Sequence, residues 1–289
     1  MGINRPDLQY TGKDGVRVCE EVDTSSSTRG PGHADRILAN DPDAEVYLWD
    51  DVDQEQMMMT SLFDGRLEPL TFSIGFLGAP PEEVAAVLVE FFTRVHDGGR
   101  ATELGGSLEE NLLELQPLTI ASRPRILLTS TALDGWTAMF DGQVNGQGVA
   151  QLTGLLASQL LGVRGYFVSS VPPAGNSGGP LGARQFRVLG PETKLGEVRA
   201  VWLIENNPGR WDFGTTGEEQ SFEDVEAYGS RRRRDRFTEE MLVGYAAAVG
   251  LRPWDESFYR NPSYLVTNAA TIRYPFTLAE ARARLGLDG

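Results

Sequence analysis

The feature that most constrains the fold of this chain is the order in which strand-like and helix-like segments follow one another. Alternating apolar and polar residues indicate strands, whereas apolar residues at helical spacing indicate amphipathic helices. Segments of both kinds are interspersed from residue 45 to the C-terminus. The sequence therefore predicts an α+β fold with mixed, mainly antiparallel sheet layers and packed helices.

Helix start signals support this prediction at several positions. Helices are expected over 81–96, 108–115, 149–161 and 238–250, with a short one after residue 277. Ser107 with Glu110, and Thr277 with Glu280, have the spacing of capping boxes, and Thr238 is placed to be an N-cap. Each signal lies immediately before an apolar run, which is where a helix begins.

Strands are predicted between these helices. The segments are 45–49, 70–79, two strands within 123–142, then 162–171, 185–190, 198–206 and a hairpin within 206–223. Asp134-Gly135 is a typical two-residue turn between paired strands. Residues 1–44 have little apolar periodicity, so we expect an irregular N-terminal arm followed by a single α+β domain over 45–289.

The charge of the chain is strongly acidic. The 41 Asp and Glu residues outnumber the 26 Lys and Arg residues and give a formal net charge of −15. Such a charge opposes nucleic-acid binding, whereas it either favours a basic protein partner or simply confers solubility. The arginines at 231–234, with Arg236, are a local exception. They are expected to form a solvated edge that pairs with the acidic stretch 218–226, with a phosphate-bearing ligand as the alternative.

Cysteine usage and the N-terminal residues indicate a cytoplasmic protein. Cys19 is the only cysteine, so no intramolecular disulfide can form, and a single thiol is more typical of a reducing compartment. The first residues lack a basic segment followed by an apolar one, and no apolar run is long enough to span a bilayer. No motif for a cofactor is found, and we expect neither a cofactor nor a membrane partner.

A short glycine-rich segment resembles a protease motif. Residues 175–181, GNSGGPL, resemble the nucleophile loop of chymotrypsin-type and HtrA-like serine proteases, which would make Ser177 a nucleophile. That chemistry needs a histidine, and the flanks of His33 and His96 do not match the family's histidine motif. The predicted helices also have no place in a double β-barrel. The segment is therefore interpreted as a turn between strands, and a hydrolase using Ser177 is kept as the alternative.

A second alternative is a metal-dependent transferase. Asp51 and Asp53 follow the strand predicted at 45–49, and carboxylates at the end of a strand can bind a divalent cation. Two acidic residues at this spacing also occur at the solvated start of a helix. No metal site is therefore included in the main interpretation.

A broader resemblance covers about residues 68–260. The strings GFLGAPPEEVAAVLVEFF, GSLEENLLELQPL, WTAMFDG, GRWDFGTTGEEQSFEDVEAY and RFTEEMLVGYAAAVGL resemble uncharacterised bacterial cytoplasmic proteins of the polymorphic-toxin immunity type. This resemblance implies a non-catalytic protein that binds a toxin-like partner and occludes its active site. It supplies no catalytic residues.

The resemblance, together with the acidity, points to a candidate contact patch. The patch comprises Trp211, Phe213, Glu218, Glu219, Glu223, Asp224 and Glu226. Aromatic side chains among acidic ones would suit a basic protein surface. In the other interpretation, these residues merely decorate a surface hairpin.

Overall fold

The structure is a computed structural model that describes most of the chain after residue 59. The described residues are 8–11, 17–22, 45–49, 60–96, 98–120, 125–144, 149–173, 180–193, 196–269, 272 and 274–287, with backbone alone for the three strands before residue 50 and for His96.

The chain divides into two compact units, Met1–Met58 and Met59–Gly289. The first unit contains strands β1 (Leu8–Thr11), β2 (Arg17–Val22) and β3 (Glu45–Trp49). Strand β1 pairs antiparallel with β2, and β2 pairs in parallel with β3.

This arrangement corrects two expectations about the N-terminal region. The region 1–44, expected to be irregular, includes two strands, and the strand at 45–49 belongs to the first unit instead of opening the main domain. The physical reason is that β3 obtains its backbone hydrogen bonds from β2. Short strands in a polar sequence give little periodicity, so the pairing is not visible in the sequence.

The second unit is built on a nine-stranded sheet in which every pairing is antiparallel. Its strands are β4 (Ser73–Leu77), β5 (Gly99–Leu104), β7 (Ile126–Thr131), β8 (Thr137–Asp141), β9 (Gly165–Val171), β10 (Ala183–Leu189), β11 (Glu197–Asn207), β12 (Arg210–Gly217) and β13 (Tyr259–Asn268). The order across the sheet is β12-β11-β10-β9-β4-β8-β7-β13-β5, so β12 and β5 form the edges. Strand β6 (Leu118–Thr119) pairs separately with β14 (Pro275–Phe276).

Five helices accompany the sheet in the described part of the chain. They are α1 (Pro81–His96), α2 (Leu108–Leu113), α3 (Val149–Leu155), α4 (Glu239–Ala248) and α5 (Leu278–Leu285), and a π-helical turn, Leu156–Leu160, extends α3. Both predicted capping boxes and the Thr238 cap are present. None of these helices combines the length and apolar character needed to cross a bilayer. The α+β prediction is confirmed.

The sheet separates two hydrophobic cores because successive side chains of a strand point to opposite faces. On β4, Phe76 belongs to a core that also includes residues of α2, α4 and α5. Its neighbour Leu77 belongs to a second core that includes residues of α1 and α3. Helices therefore cover both faces of one sheet, an arrangement unlike the double β-barrel of chymotrypsin-type proteases.

Strands β5 and β13 are missing from the sequence-based prediction. Strand β13 lies between β7 and β5, and its pairing with β7 shifts register between Arg260 and Ser263. The Asn261-Pro262 dipeptide occupies that irregularity, where proline's missing N–H does not break a ladder hydrogen bond.

Helix α3 approaches the sheet closely at Gly75 on the central strand β4. A Cβ atom at Gly75 would lie far closer to Thr153 Oγ1 than van der Waals contact allows, and 2.8 Å from Val149 Cγ1. Glycine is therefore required here by the distance between helix and sheet.

We expect Gly75→Ala to lower the free energy of unfolding by about 2 to 3 kcal/mol, because the added methyl group forces α3 away from β4. Urea denaturation of the full chain measures the change. Gly105→Ala is the matched control, since nothing lies within 4 Å of its Cβ position, and it should change stability by less than about 0.5 kcal/mol. Equal stability of the two variants would contradict the proposed close approach.

Candidate functional site

The segment that follows edge strand β12 contains most of the candidate contact residues. Residues 218–236 run back alongside β12. Near the end of β12, Arg199, which lies opposite Gly217 in the sheet, donates a hydrogen bond to Glu223. Near the start of β12, Arg233 donates to the carbonyl of Trp211 at 2.9 Å. Two short 3-10 turns, Ala227–Gly229 and Arg233–Arg236, are its regular parts. The segment is thus fixed to β11 near one end of β12 and to β12 itself near the other end.

A buried ion pair anchors the first half of this segment. The guanidinium of Arg199 on β11 binds both carboxylate oxygens of Glu223, at 2.9 Å through Nε and 2.5 Å through Nη2. The two side chains are only 3% and 1% exposed. The remaining Nη1 donates to the carbonyls of Thr216 and Gly217, at 3.2 and 2.8 Å. The pair therefore retains the hydrogen bonds that burial of two charges requires.

Two tyrosines extend the anchor. Tyr228 donates to Glu223 Oε2 at 2.8 Å, and its oxygen lies 2.9 Å from the hydroxyl of Tyr245 on α4. Because the Tyr228 proton is committed to Glu223, Tyr245 is the donor in the tyrosine pair. Tyr245 in turn accepts from the Asp224 amide at 2.8 Å.

The pKa directions of the anchor agree with this arrangement. Burial acts to raise the pKa of Glu223, but hydrogen bonds from Arg199, the Gln220 amide and Tyr228 outweigh it and lower the pKa. Burial, together with the hydrogen bond that Tyr228 donates to the Glu223 carboxylate, raises the pKa of Tyr228. Glu223 is therefore ionised and Tyr228 is protonated at neutral pH.

The structure divides the seven candidate contact residues into two groups. Glu223 points inwards, and Trp211 is buried at 6% exposure, with the guanidinium of Arg234 5.5 Å from its ring. Phe213 is half-buried, with its ring centroid 5.1 Å from that of Tyr228. Four side chains remain exposed, and we call them the acidic cluster: Glu218, Glu219, Asp224 and Glu226.

The arginines that follow do not neutralise the acidic cluster. The arginine cluster, Arg231, Arg232, Arg233 and Arg234, is exposed. Arg233 pairs with Asp212 of β12 at 3.2 Å, and within the described chain no ion pair joins residues 231–236 to residues 218–226. The expected pairing between the two stretches is therefore wrong. The physical reason is that Arg233 is drawn to β12, where it gains both the Asp212 carboxylate and a backbone carbonyl.

The protease-like segment lies between two neighbouring strands along the chain, and its residues 175–179 are outside the described part of the structure. Residues 172–182 link β9 to β10, which pair antiparallel with Val171 opposite Ala183. The carboxylate of Glu205, 2% exposed, accepts from the Gly182 amide at 3.0 Å and from the Gly209 amide at 2.5 Å. Ser177 itself lies outside the described residues, as does His33. The hydrolase alternative therefore stays a prediction.

The metal-site alternative also lies outside the described residues, because Asp51 and Asp53 belong to the part of the chain between 50 and 59. Among the residues that are described, no group of three or more His, Cys, Asp or Glu side chains could hold a metal ion.

One buried carboxyl group was not singled out from the sequence. Asp141, the last residue of β8, is 2% exposed. Its Oδ1 accepts from the Gln143 amide at 2.9 Å, whereas Oδ2 accepts no hydrogen bond from any described residue. Burial raises its pKa to about 6, although hydrogen bonds from the amides of Gln143 and Val149 act in the opposite direction. The only signal of this buried acid in the sequence is its position at the end of an apolar strand.

Comparison with protein-family models, with curated proteins and with solved structures finds no match for this chain. The resemblance to immunity proteins is therefore supported by the sequence pattern alone, and function has to be argued from the geometry of the chain itself.

We expect Glu223→Gln to lower the free energy of unfolding by about 3 kcal/mol or more, because it leaves the Arg199 charge buried without a counterion. Thermal and urea denaturation measure the loss. Glu109→Gln is the matched control: Glu109 pairs with Arg66 at 3.0 Å, but their side chains are 39% and 61% exposed, so the cost should be below about 1 kcal/mol. A similar loss in both variants would disprove the anchoring role of Glu223.

The raised pKa of Asp141 predicts a pH-dependent stability. An acid with a higher pKa in the folded state than in the unfolded state destabilises the fold once it ionises, so the contribution of Asp141 to native stability should fall as the pH rises from about 4 to about 7. Asp141→Asn removes this effect, and its stability relative to the native chain should increase by up to about 3 kcal/mol over that range. Denaturation at several pH values measures this difference. Asp134→Asn, at an exposed position, is the control for the loss of one carboxylate, and a flat Asp141→Asn difference would refute the prediction.

Proposed function

We propose that this protein is a non-catalytic binding protein of the immunity type, which neutralises a basic, toxin-like protein by occluding it. The observation that carries the proposal is the acidic cluster, four exposed carboxylates on an irregular segment that a buried ion pair fixes to the sheet. The resemblance stated above supplies the immunity type, and the contacts of the segment supply the binding surface.

The rigidity of the segment favours binding. Loops that must become ordered on binding lose affinity through conformational entropy, whereas a segment already held in place avoids that cost. Glu223 and Tyr228 hold the chain between Gln220 and Gly229 against β11 and α4. The carboxylates of the acidic cluster are thus presented in a defined arrangement before the partner arrives.

The electrostatic field of the chain suits a basic partner. The net charge of −15 attracts a positively charged protein over long distances and accelerates association, an effect that salt weakens. The acidic cluster has no cationic partner among the described residues, so its carboxylates are available for new ion pairs. The exposed Val225, at 39%, adds an apolar contact between them.

The roles within the candidate patch differ accordingly. The acidic cluster and Val225 are proposed to touch the partner, whereas Glu223 and Trp211 position the segment from inside the fold. No described residue favours the hydrolase that would use Ser177 or the transferase that would use Asp51 and Asp53. These two functions therefore stay alternatives from the sequence.

Neutralising the acidic cluster should weaken partner capture. The variant Glu218→Gln, Glu219→Gln, Asp224→Asn, Glu226→Gln and the native chain are immobilised and exposed to lysate of the native host at low and at high salt. We expect the native chain to retain a basic protein at low salt and to release it at high salt. The purified partner should then bind the variant at least about tenfold more weakly, because several exposed ion pairs are lost.

A second variant controls for net charge. Glu82→Gln, Glu90→Gln, Glu103→Gln and Glu114→Gln neutralise four exposed acids on α1, β5 and the residue after α2. This control should retain the partner like the native chain. Equal retention by the acidic-cluster variant, or no basic protein retained by the native chain, would overturn the proposal.

A further inference from the structure

The arginine cluster lies on the same segment as the acidic cluster but at the opposite end of β12. Two of its members contact that end: Arg233 binds Asp212 and the Trp211 carbonyl, and Arg234 lies over the Trp211 ring. The acidic cluster begins directly after Gly217, where β12 ends. The segment therefore carries opposite charges at its two ends.

The two clusters lie along β12, so the strand gives the length of the surface that carries them. Trp211 and Gly217 are both in β12, and at about 3.3 Å per residue they lie about 20 Å apart. A standard protein interface covers about 800 Å² on each partner, which corresponds to a patch about 30 Å across. One partner can therefore cover both clusters at once.

The surface around the arginine cluster keeps a net positive charge although two aspartates lie beside it. Asp212 pairs with Arg233, and Asp235 is exposed within the same turn, so the five arginines at 231–234 and 236 outnumber these two acids. In a chain with a net charge of −15, this surface is the exception. A uniformly basic partner would be repelled by it, since like charges brought together in an interface are unfavourable.

We propose that the partner carries a basic region and an acidic region side by side, and that this segment binds both, with the acidic cluster on the basic region and the arginine cluster on the acidic one. This inference rests on the proposed function and adds the second half of the contact. The acidic cluster supplies the attraction, and the arginine cluster sets the orientation because only one alignment pairs both signs.

The experiment uses a synthetic peptide as the probe. A block of lysines is joined to a block of glutamates by a Gly-Ser spacer of about six residues, which can span about 20 Å. A peptide of the same composition with alternating lysine and glutamate, and the lysine block alone, are the comparison probes. Fluorescence anisotropy with the full chain at low salt gives the affinity for each probe.

Two charge variants separate the contributions. The arginine variant, Arg231→Gln, Arg232→Gln and Arg234→Gln, leaves Arg233 in place because Arg233 alone among the four is hydrogen-bonded to β12 in the described chain. Its matched control is Arg94→Gln, Arg100→Gln and Arg260→Gln, which removes three exposed arginines from α1, β5 and β13. The acidic-cluster variant and its control are those used for the proposed function.

We expect the native chain to bind the two-block peptide at least about fivefold more tightly than either comparison probe, since several exposed ion pairs add up. The arginine variant should lose this advantage without binding the lysine block more weakly than the native chain does, and the arginine control should keep the advantage. Equal affinity of the native chain for the two-block and alternating peptides would overturn the inference alone. Unchanged lysine-block binding by the acidic-cluster variant would instead overturn the proposed function.

Discussion

The ion pair between Arg199 and Glu223 is the interaction on which the charged segment after β12 depends. Removing two charges from water is unfavourable, and here the cost is offset by two-point contact, by two backbone carbonyls and by a tyrosine hydroxyl. The segment from 218 to 236 contains no long helix or strand of its own. Its path over the sheet is determined by this pair and by the aromatic contacts of Phe222 and Tyr228.

That anchoring links the fold to the proposed binding role. Arg199 lies on β11, the neighbour of edge strand β12, so the position of the acidic cluster follows the position of the sheet. Tyr245 joins the same network from α4, which packs on that face of the sheet. A partner that contacts the segment would therefore meet a surface supported by the core.

The parts of the fold that the sequence predicted are those with local signals. Helices with capping residues, such as Ser107 and Thr277, were placed correctly because a cap lies next to the helix that it starts. The β7–β8 hairpin was predicted for the same reason, since its turn includes Gly135 at a φ of 76°. Strand β5 was not predicted because its exposed edge residues show no apolar alternation. Strand β13 was not predicted because Pro262 interrupts its pattern.

The candidate site was less predictable because it depends on contacts between distant residues. A run of acidic residues shows that the stretch is negatively charged, but it does not show which carboxylate is buried. Glu223 is buried because it pairs with Arg199, which lies 24 residues earlier on strand β11. The lack of ion pairs between the described residues of the arginine cluster and the acidic cluster could not be foreseen either, because Arg233 pairs with Asp212 of β12 instead of with the acidic stretch that is closer in sequence. Asp141 resembles an ordinary strand end in the sequence, and only the packing around it leaves one of its oxygens without a hydrogen-bond partner among the described residues.

The position of β13 has a consequence for the order in which the sheet can assemble. This strand comes last along the chain among the nine, yet it lies between β7 and β5, and in the sheet β5 pairs only with it. During synthesis, β5 therefore emerges from the ribosome well before the strand that completes its pairing. Until β13 is made, β7 is an edge strand of the sheet. The last two strand pairings therefore form only when nearly the whole polypeptide has been synthesised.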